Sequence, residues 1–330
     1  MTATTRVPFG RTGMEITRVG FGAWAAGGPW VYGWGPQDDD DSIAAIRRAV
    51  ELGVNWIDTA PVYGWGHSEE VVARALRDMP EADRPYVFTK CGPSRQEDGE
   101  AFLHGTAERL RVETEASLRR LGVERLDLLQ MHWPADDGVP VEDYWATMVA
   151  LHDEGKVAHI GLSNHDVPQL EAAEAISHVE TLQPPFSAIQ REAGGDVIPW
   201  CADHETGVIV YSPMQAGLLT GAFSRARVES LAEGDWRRID PDFTDGLDAN
   251  LALADALLPV ARKHGTTQGA VAVAWTLAWR GATAAIVGAR SAAQVEGWVD
   301  AAELVLDPED LDAIAAAIRS TGAGRGPDRP

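Results

Sequence analysis

The sequence predicts an α/β fold of one kind: a closed, parallel (β/α)8 barrel of the TIM barrel class, with an N-terminal β-hairpin and extra C-terminal helices. Three observations carry this. Short apolar runs alternate with amphipathic helical stretches eight times along the chain. Composition shows no break across the 330 residues, whereas a doubly wound sheet of this length usually splits into domains. The apolar runs also end in polar or aromatic residues, which packing alone does not require. Residues 1–330 are therefore read as a single domain.

Residues 6–17 come first, with Gly10 and Gly13 between short alternating runs, a pattern that suits a hairpin plugging one end of a barrel. The units follow in order: VGFGAW and a helix over 38–52, VNWID and 68–79, YVFTK and 105–121, then RLDLLQMHW and 141–154. KVAHIGLSN leads into 167–175, VETLQ into 197–204, and GVIVYSP into a long segment reaching residue 245. Helices over 248–264 and 267–280 precede the last strand, ATAAIVG, and helices over 291–299 and 308–319 close the pattern. One decoy is set aside: Gly20-Phe-Gly22-Ala-Trp-Ala25 fits a dinucleotide fingerprint, but GGPWVYGWGP follows it and no helix can start there.

The balance of 28 Lys+Arg against 50 Asp+Glu leaves a net charge of −22, which repels nucleic acid and anionic membrane, so neither is expected as a partner. No signal-peptide core and no apolar window of membrane-span length is present, so a soluble, cytoplasmic protein is expected, as monomer or small homo-oligomer. Cys91 and Cys201 lie in different elements and suit reduced thiols. The nine histidines show no metal-ligand spacing, so no metal is expected.

In a barrel of this class the residues that end each strand line one pocket. They are Trp24, Asp58, Lys90, His132, Asn164, Gln183, Tyr211 and Gly288. A lysine at the end of a buried strand needs a partner, and Asp58 is the natural one. An ammonium beside Tyr63 favours the phenolate, which predicts a phenol lowered from about 10 towards working pH and usable as a general acid. His132 can orient a carbonyl oxygen, although a lone histidine here also suits a packed core. At the last strand, Gly288 and Arg290 precede Ser291-x-x-Gln294, a capping-box pattern. A helix start with a forked cation suits a phosphate, against the alternative of an exposed arginine near an ordinary cap. Tyr211-Ser212-Pro213 offers a flat ring for a nicotinamide, or a core tyrosine before a turn.

Together these stretches resemble the aldo-keto reductases, bacterial general-stress and sugar-type members above all. DTAPVYG-x-x-HSEE, FTKCG and LLQMHWP are similar to the motifs around that family's catalytic Asp, Tyr, Lys and His, here Asp58, Tyr63, Lys90 and His132. GLSNH, TLQPPF, YSPMQAGLLTG and VGARSAAQVE resemble its cofactor motifs. The resemblance implies NADP(H) as cofactor, with Ser163, Asn164 and Gln183 at the carboxamide and Tyr211 stacked on the nicotinamide. It implies Ser212, Pro213, Leu218 and Gly221 along the pyrophosphate, Gly288, Arg290 and Gln294 at the 2′-phosphate, and Trp24 in the cofactor set. Gly221-Ala222 departs from the family's frequent Gly-Lys, and Arg225, Arg227, Arg237 or Arg238 can substitute. The implied reaction is reduction of an aldehyde or ketone, or the reverse oxidation of an alcohol or sugar. Of the 12 tryptophans, Trp30, Trp65 and Trp133 lie in loops beside strand ends and suit an apolar or ring-shaped substrate. Two other classes are weighed: a Schiff-base aldolase using Lys90, and a nucleotide-sensing regulatory subunit.

Overall fold

Parallel strands buried on both faces read as continuous apolar runs, and those runs form the barrel. The computed structural model describes residues 5–96, 99 and 101–330. Its strands are β1 (Val19–Gly22), β2 (Trp56–Asp58), β3 (Tyr86–Cys91), β4 (Leu126–Met131), β5 (Val157–Ser163), β6 (Thr181–Gln183), β7 (Gly207–Val210) and β8 (Ala284–Gly288). Each pairs in parallel with its sequence neighbours, and β8 closes on β1 through pairs such as Ala285 with Val19.

The first helix shows how sequence sets the outer layer. Asp38 caps it by accepting from the Asp40 amide, and Asp39, Asp40 and Asp41 sit in its first turn, where the helix dipole favours negative charge. Ser42, Ala45, Ile46 and Ala49 recur at helical spacing and are buried against the barrel. Among the described residues no helix is long and apolar enough to cross a membrane.

The hairpin expected at the N-terminus is present, Arg6–Pro8 pairing with Glu15–Thr17. Phe9 and Ile16 are fully buried in one cluster with Trp56, Phe88, Leu128 and Ile209, so the hairpin does plug the barrel. Gly20 of the decoy fingerprint has a packing reason: a Cβ there would lie 2.2 Å from the Trp56 ring.

Several elements differ from expectation. The helix read over 248–264 is two, Leu247–Ala256 and Leu258–His264, because Pro259 lacks the amide that a continuous helix would need. Strand β6 begins at Thr181, not 179, because the Glu180 carboxylate accepts the Ile160 amide at 2.8 Å from beside the ladder. The helix read over 291–299 is a short turn, Ala292–Glu296, followed by a 3-10 turn at Val299–Ala302. An unforeseen hairpin, Pro93–Arg95 with Ala101–Leu103, follows β3.

Candidate active site

Polar side chains from three neighbouring strand ends meet inside the barrel. Lys90 points inward from β3 and is fully enclosed. Its ammonium donates to Asp58 Oδ2 at 2.6 Å, to the Thr59 carbonyl at 3.0 Å and to the Tyr63 hydroxyl at 3.4 Å. Three protons meet three acceptors, which spares the charge the penalty of unpaired burial. An ammonium only donates, so Tyr63 is the acceptor in that bond and its own proton remains available.

The expected lowering of the Tyr63 phenol does not occur. Burial and the negative charge of Asp58 hold it well above its ordinary value. The physical reason is enclosure: desolvation of the buried phenol outweighs the Lys90 ammonium 3.4 Å away. Tyr63 therefore keeps its proton at working pH. His132, just after β4, meets Tyr63 edge-on with ring centroids 5.8 Å apart. Burial and the charge of Lys90 hold its imidazole well below the ordinary value, so it is neutral. Its Nδ1 is buried without a partner among the described residues.

Tryptophans wall this group on the open side. Trp24 and Trp30 lie 6.4 and 6.0 Å from the Tyr63 ring, and Trp65 meets Trp30 edge-on at 6.4 Å. Trp236 stacks on Trp24 at 6.0 Å and meets Trp34 at 5.9 Å. Arg237, ion-paired with Asp235, lies 4.3 Å over the Trp34 ring. Trp133 is apart: it is 43% exposed and has no ring partner among the described residues.

A model described as Aldo/keto reductase family matches residues 18–319. The chain belongs to the aldo-keto reductase family. It is 35% identical over 313 residues to an aldo-keto reductase of Bacillus subtilis, covering 94% of this chain and 92% of that one. An Escherichia coli protein named NADH-specific methylglyoxal reductase is 29% identical, covering 92% of this chain and 95% of its own. A solved glycerol dehydrogenase from Gluconobacter oxydans superposes with TM-score 0.87 at 34% identity, covering 98% of this chain and 97% of that one. Members of the family use nicotinamide cofactors.

In this aldo-keto reductase the residues implied for the carboxamide bond one another. Ser163 Oγ donates to the Gln183 carbonyl at 2.8 Å, and Asn164 Nδ2 donates to the His132 carbonyl at 2.9 Å and to Ser163 Oγ at 3.1 Å. The Tyr211 hydroxyl donates to Asn164 Oδ1 at 2.8 Å, which fixes the ring across the rim. Asn164 and Ser212 hold left-handed backbone, φ 63° and 57°, at the ends of β5 and β7, the kind of outlier that marks ligand sites. Pro213, which follows Ser212, is buried. Leu218 is fully buried, backbone and side chain alike. Gly221 has φ 73°, and a Cβ there would lie 2.1 Å from Gln268 Oε1.

The capping box expected at Ser291 is not formed. Gln294 Oε1 accepts from the Arg290 amide at 2.7 Å, one residue earlier, and Ser291 makes no side-chain cap. Gly288 lies in open surroundings beside Gly22. The Arg290 guanidinium donates to Gln37 Oε1 at 2.8 Å and to the Pro36 carbonyl at 2.6 Å, so it tethers the Trp30–Trp34 loop. Of the candidate substitutes for the absent lysine, Arg225 pairs with Asp248, Arg237 with Asp235, and Arg238 bonds the Leu231 carbonyl. Arg227 donates to the carbonyl of Ala222, the departing residue itself, at 2.8 Å. Among the described residues no three His, Cys, Asp or Glu side chains are grouped as a metal ion needs.

Sequence reasoning missed Trp34 and Trp236, because loop aromatics far apart in sequence carry no periodicity, and it offered Arg237 only as a stand-in for the absent lysine, not as a cation over the Trp34 ring. It also missed the pair under the site: buried Glu69 accepts from Thr89 at 2.6 Å and from Arg120 at 2.5 Å, tying a helix to β3. The HSEE stretch contained that signal, a glutamate in the first turn of an otherwise apolar helix face.

His165 buttresses the end of β5, its Nδ1–H donating to the Ser163 carbonyl at 2.8 Å while Nε2 accepts from the Tyr144 hydroxyl at 2.7 Å. Burial lowers its pKa to about 4. The unfolded chain binds this proton from about pH 6.5, the folded one only near pH 4, so stability falls as pH drops through that window. By pH 5 the loss is about 2 kcal/mol. Urea unfolding at pH 7.5 and 5 should show wild type losing about that much more than a His165→Gln variant; equal losses refute the assignment.

Proposed function

We propose that the chain is an NADP(H)-dependent oxidoreductase that interconverts an aldehyde or ketone and its alcohol. The observation that carries the reading is the three-way bonding of Lys90, which makes Tyr63 an acceptor towards Lys90 and a donor towards the cleft. Tyr63 gives its proton to the substrate oxygen in reduction and takes it back in oxidation. Lys90 steadies the resulting phenolate, Asp58 holds Lys90, and neutral His132 orients the carbonyl oxygen with its ring N–H. Trp24, Trp30 and Trp65 exclude water and supply flat faces to the substrate.

The residues present suit a nicotinamide cofactor, which supplies or accepts the hydride when bound. Gln183 Nε2 is committed to Asp58 and Gln130, at 2.9 Å each, and among the described residues no donor meets its Oε1. An acceptor of that kind matches a carboxamide N–H. Tyr211 would stack on the ring, with Ser212, Pro213, Leu218 and Gly221 along the pyrophosphate.

A Schiff-base role for Lys90 is disfavoured because its amine is fully buried and held by Asp58, Thr59 and Tyr63, which leaves a carbonyl carbon no approach to it. The likeness to a glycerol dehydrogenase at 34% identity favours polyols and sugars among the alcohols to be tried. Aldehydes, ketones, sugars and polyols assayed with NADP(H) and NAD(H), read at the nicotinamide absorbance, test the reading. Turnover of at least one pair is expected, and no turnover in either direction with either cofactor overturns it.

Cofactor choice is assigned to Arg290. In a chain of net charge −22 a 2′-phosphate needs a local cation, and among the described residues the Arg290 guanidinium holds only neutral oxygens, Gln37 Oε1 and the Pro36 carbonyl. A phosphate that captures it must displace those bonds, so the gain lies at the low end for a charge-assisted contact. Arg290→Ala is expected to weaken NADPH about ten-fold and to leave NADH nearly unchanged. Dissociation constants from tryptophan fluorescence decide it; equal losses for the two cofactors place Arg290 away from the phosphate.

A further inference from the structure

Gln130 is fully buried in the middle of the barrel and has no place in the reaction described above. It stands on β4 opposite Lys90 of β3 on one side and Gly161 of β5 on the other. Its Nε2 donates to Thr181 Oγ1 of β6 at 3.2 Å, passing over β5. That reach requires a bare strand between them: a Cβ on Gly161 would fall 1.9 Å from Thr181 Oγ1. Anchored in this way, Gln130 turns its Oε1 to Gln183 and accepts from Nε2 at 2.9 Å.

The direction of every amide in this chain is fixed by one carboxylate. Asp58, paired with Lys90, can only accept, so the Gln183 atom 2.9 Å from its Oδ1 must be nitrogen. The second hydrogen of that nitrogen goes to Gln130. With both hydrogens taken, Gln183 cannot flip without setting its oxygen against Asp58. Its Oε1 is thereby held facing away from the ion pair, ready to accept.

We propose that Gln130 is a positioning residue that locks the Gln183 amide, so that Gln183 Oε1 accepts from the carboxamide of a bound nicotinamide. The proposal rests on the nicotinamide reading given above. Asp58 alone supplies one acceptor and leaves the amide able to rotate about that bond; Gln130 removes the remaining freedom. The ion pair that serves Tyr63 and the group that orients the cofactor ring thus belong to one hydrogen-bonded unit.

The test compares two oxidised cofactors, NADP and its 3-acetylpyridine analogue, which keeps the ring and the carbonyl but lacks the amide N–H₂. Dissociation constants are measured by fluorescence for wild type and for Gln130→Met, an unbranched replacement of similar length without a hydrogen bond. Wild type is expected to prefer NADP by about three- to ten-fold, the worth of one net hydrogen bond. In Gln130→Met that preference should fall to within about two-fold of unity. Thr181→Val, which removes the anchor of Gln130 at constant shape, should lower the preference in the same direction and carries the test if the Met variant does not fold. A merely structural role for Gln130 would weaken both ligands equally and keep the wild-type preference, and that outcome overturns the proposal. A wild-type preference near unity overturns it at its base, because Gln183 then does not meet the carboxamide.

Discussion

Tyr63→Phe is expected to lower turnover of the best substrate by about 10²–10⁴-fold while NADP(H) binding stays within about two-fold of wild type. The two halves of this result come from the same geometry. Lys90 donates to the Tyr63 hydroxyl and receives nothing from it, so removing that oxygen breaks only the longest of three bonds to the ammonium, 3.4 Å, and leaves those to Asp58 and Thr59. The ring keeps its contacts with Trp24, Trp30 and His132. What disappears is the proton that burial keeps on the phenol. Single-turnover rates with a dideuterated reduced cofactor, together with fluorescence titration of the cofactor, separate the two effects. A variant that reduces substrate within a few-fold of wild type removes Tyr63 as proton donor.

Lys90→Met should damage both rate and stability. It leaves Asp58, only 3% exposed, as a charge without its partner, and breaking a buried pair on one side typically costs about 3–5 kcal/mol. Urea unfolding near pH 7 measures that loss, and a stability within about 1 kcal/mol of wild type would mean that Asp58 finds another cation or takes up a proton. Asp58→Asn retains an oxygen for Lys90 but turns an amide nitrogen towards Gln183 Nε2, donor against donor. Asp58 thus has a second task beyond Lys90. Its asparagine variant is expected to lose affinity for nicotinamide-bearing ligands and to keep it for 2′-phosphoadenosine fragments.

The barrel was legible because each strand is an apolar run and each helix an apolar stripe, both local patterns. The pairing of Asp58 with Lys90 was legible because a buried strand that stops on a charge needs a partner, whereas Tyr63 and His132 stood out through the family resemblance. Other features were hidden for physical causes. The phenol of Tyr63 lies high because the closed barrel and its loops bury it and set it near the Asp58 carboxylate, and sequence carries neither burial nor distance. Arg290 stood out as a cation at a helix start, yet its bonds to Pro36 and Gln37 depend on a loop more than two hundred and fifty positions away. Gln130 sits inside a motif noted for its neighbour His132, and its role depends on β5 lacking a side chain at Gly161. The aromatic wall joins loops after β1, β2 and β7, and only the closed barrel brings them together.

The seam where β8 meets β1 has a consequence for how the chain is made. Val19 is synthesised before Ala285 and must wait for it before its strand is flanked on both sides. Until then the growing chain exposes two raw sheet edges, one on β1 and one on the latest strand, and such edges recruit other chains. Long-range closure is also slow, since the entropy of bringing the ends together is spent before any pairing repays it. In the closed barrel the N-terminal hairpin lies beneath that seam, with Phe9 and Ile16 in one buried cluster with Ile209 of β7 and Ile286 of β8. Nascent chains that still lack β8 therefore keep both edges open, and only its pairing with β1 removes them.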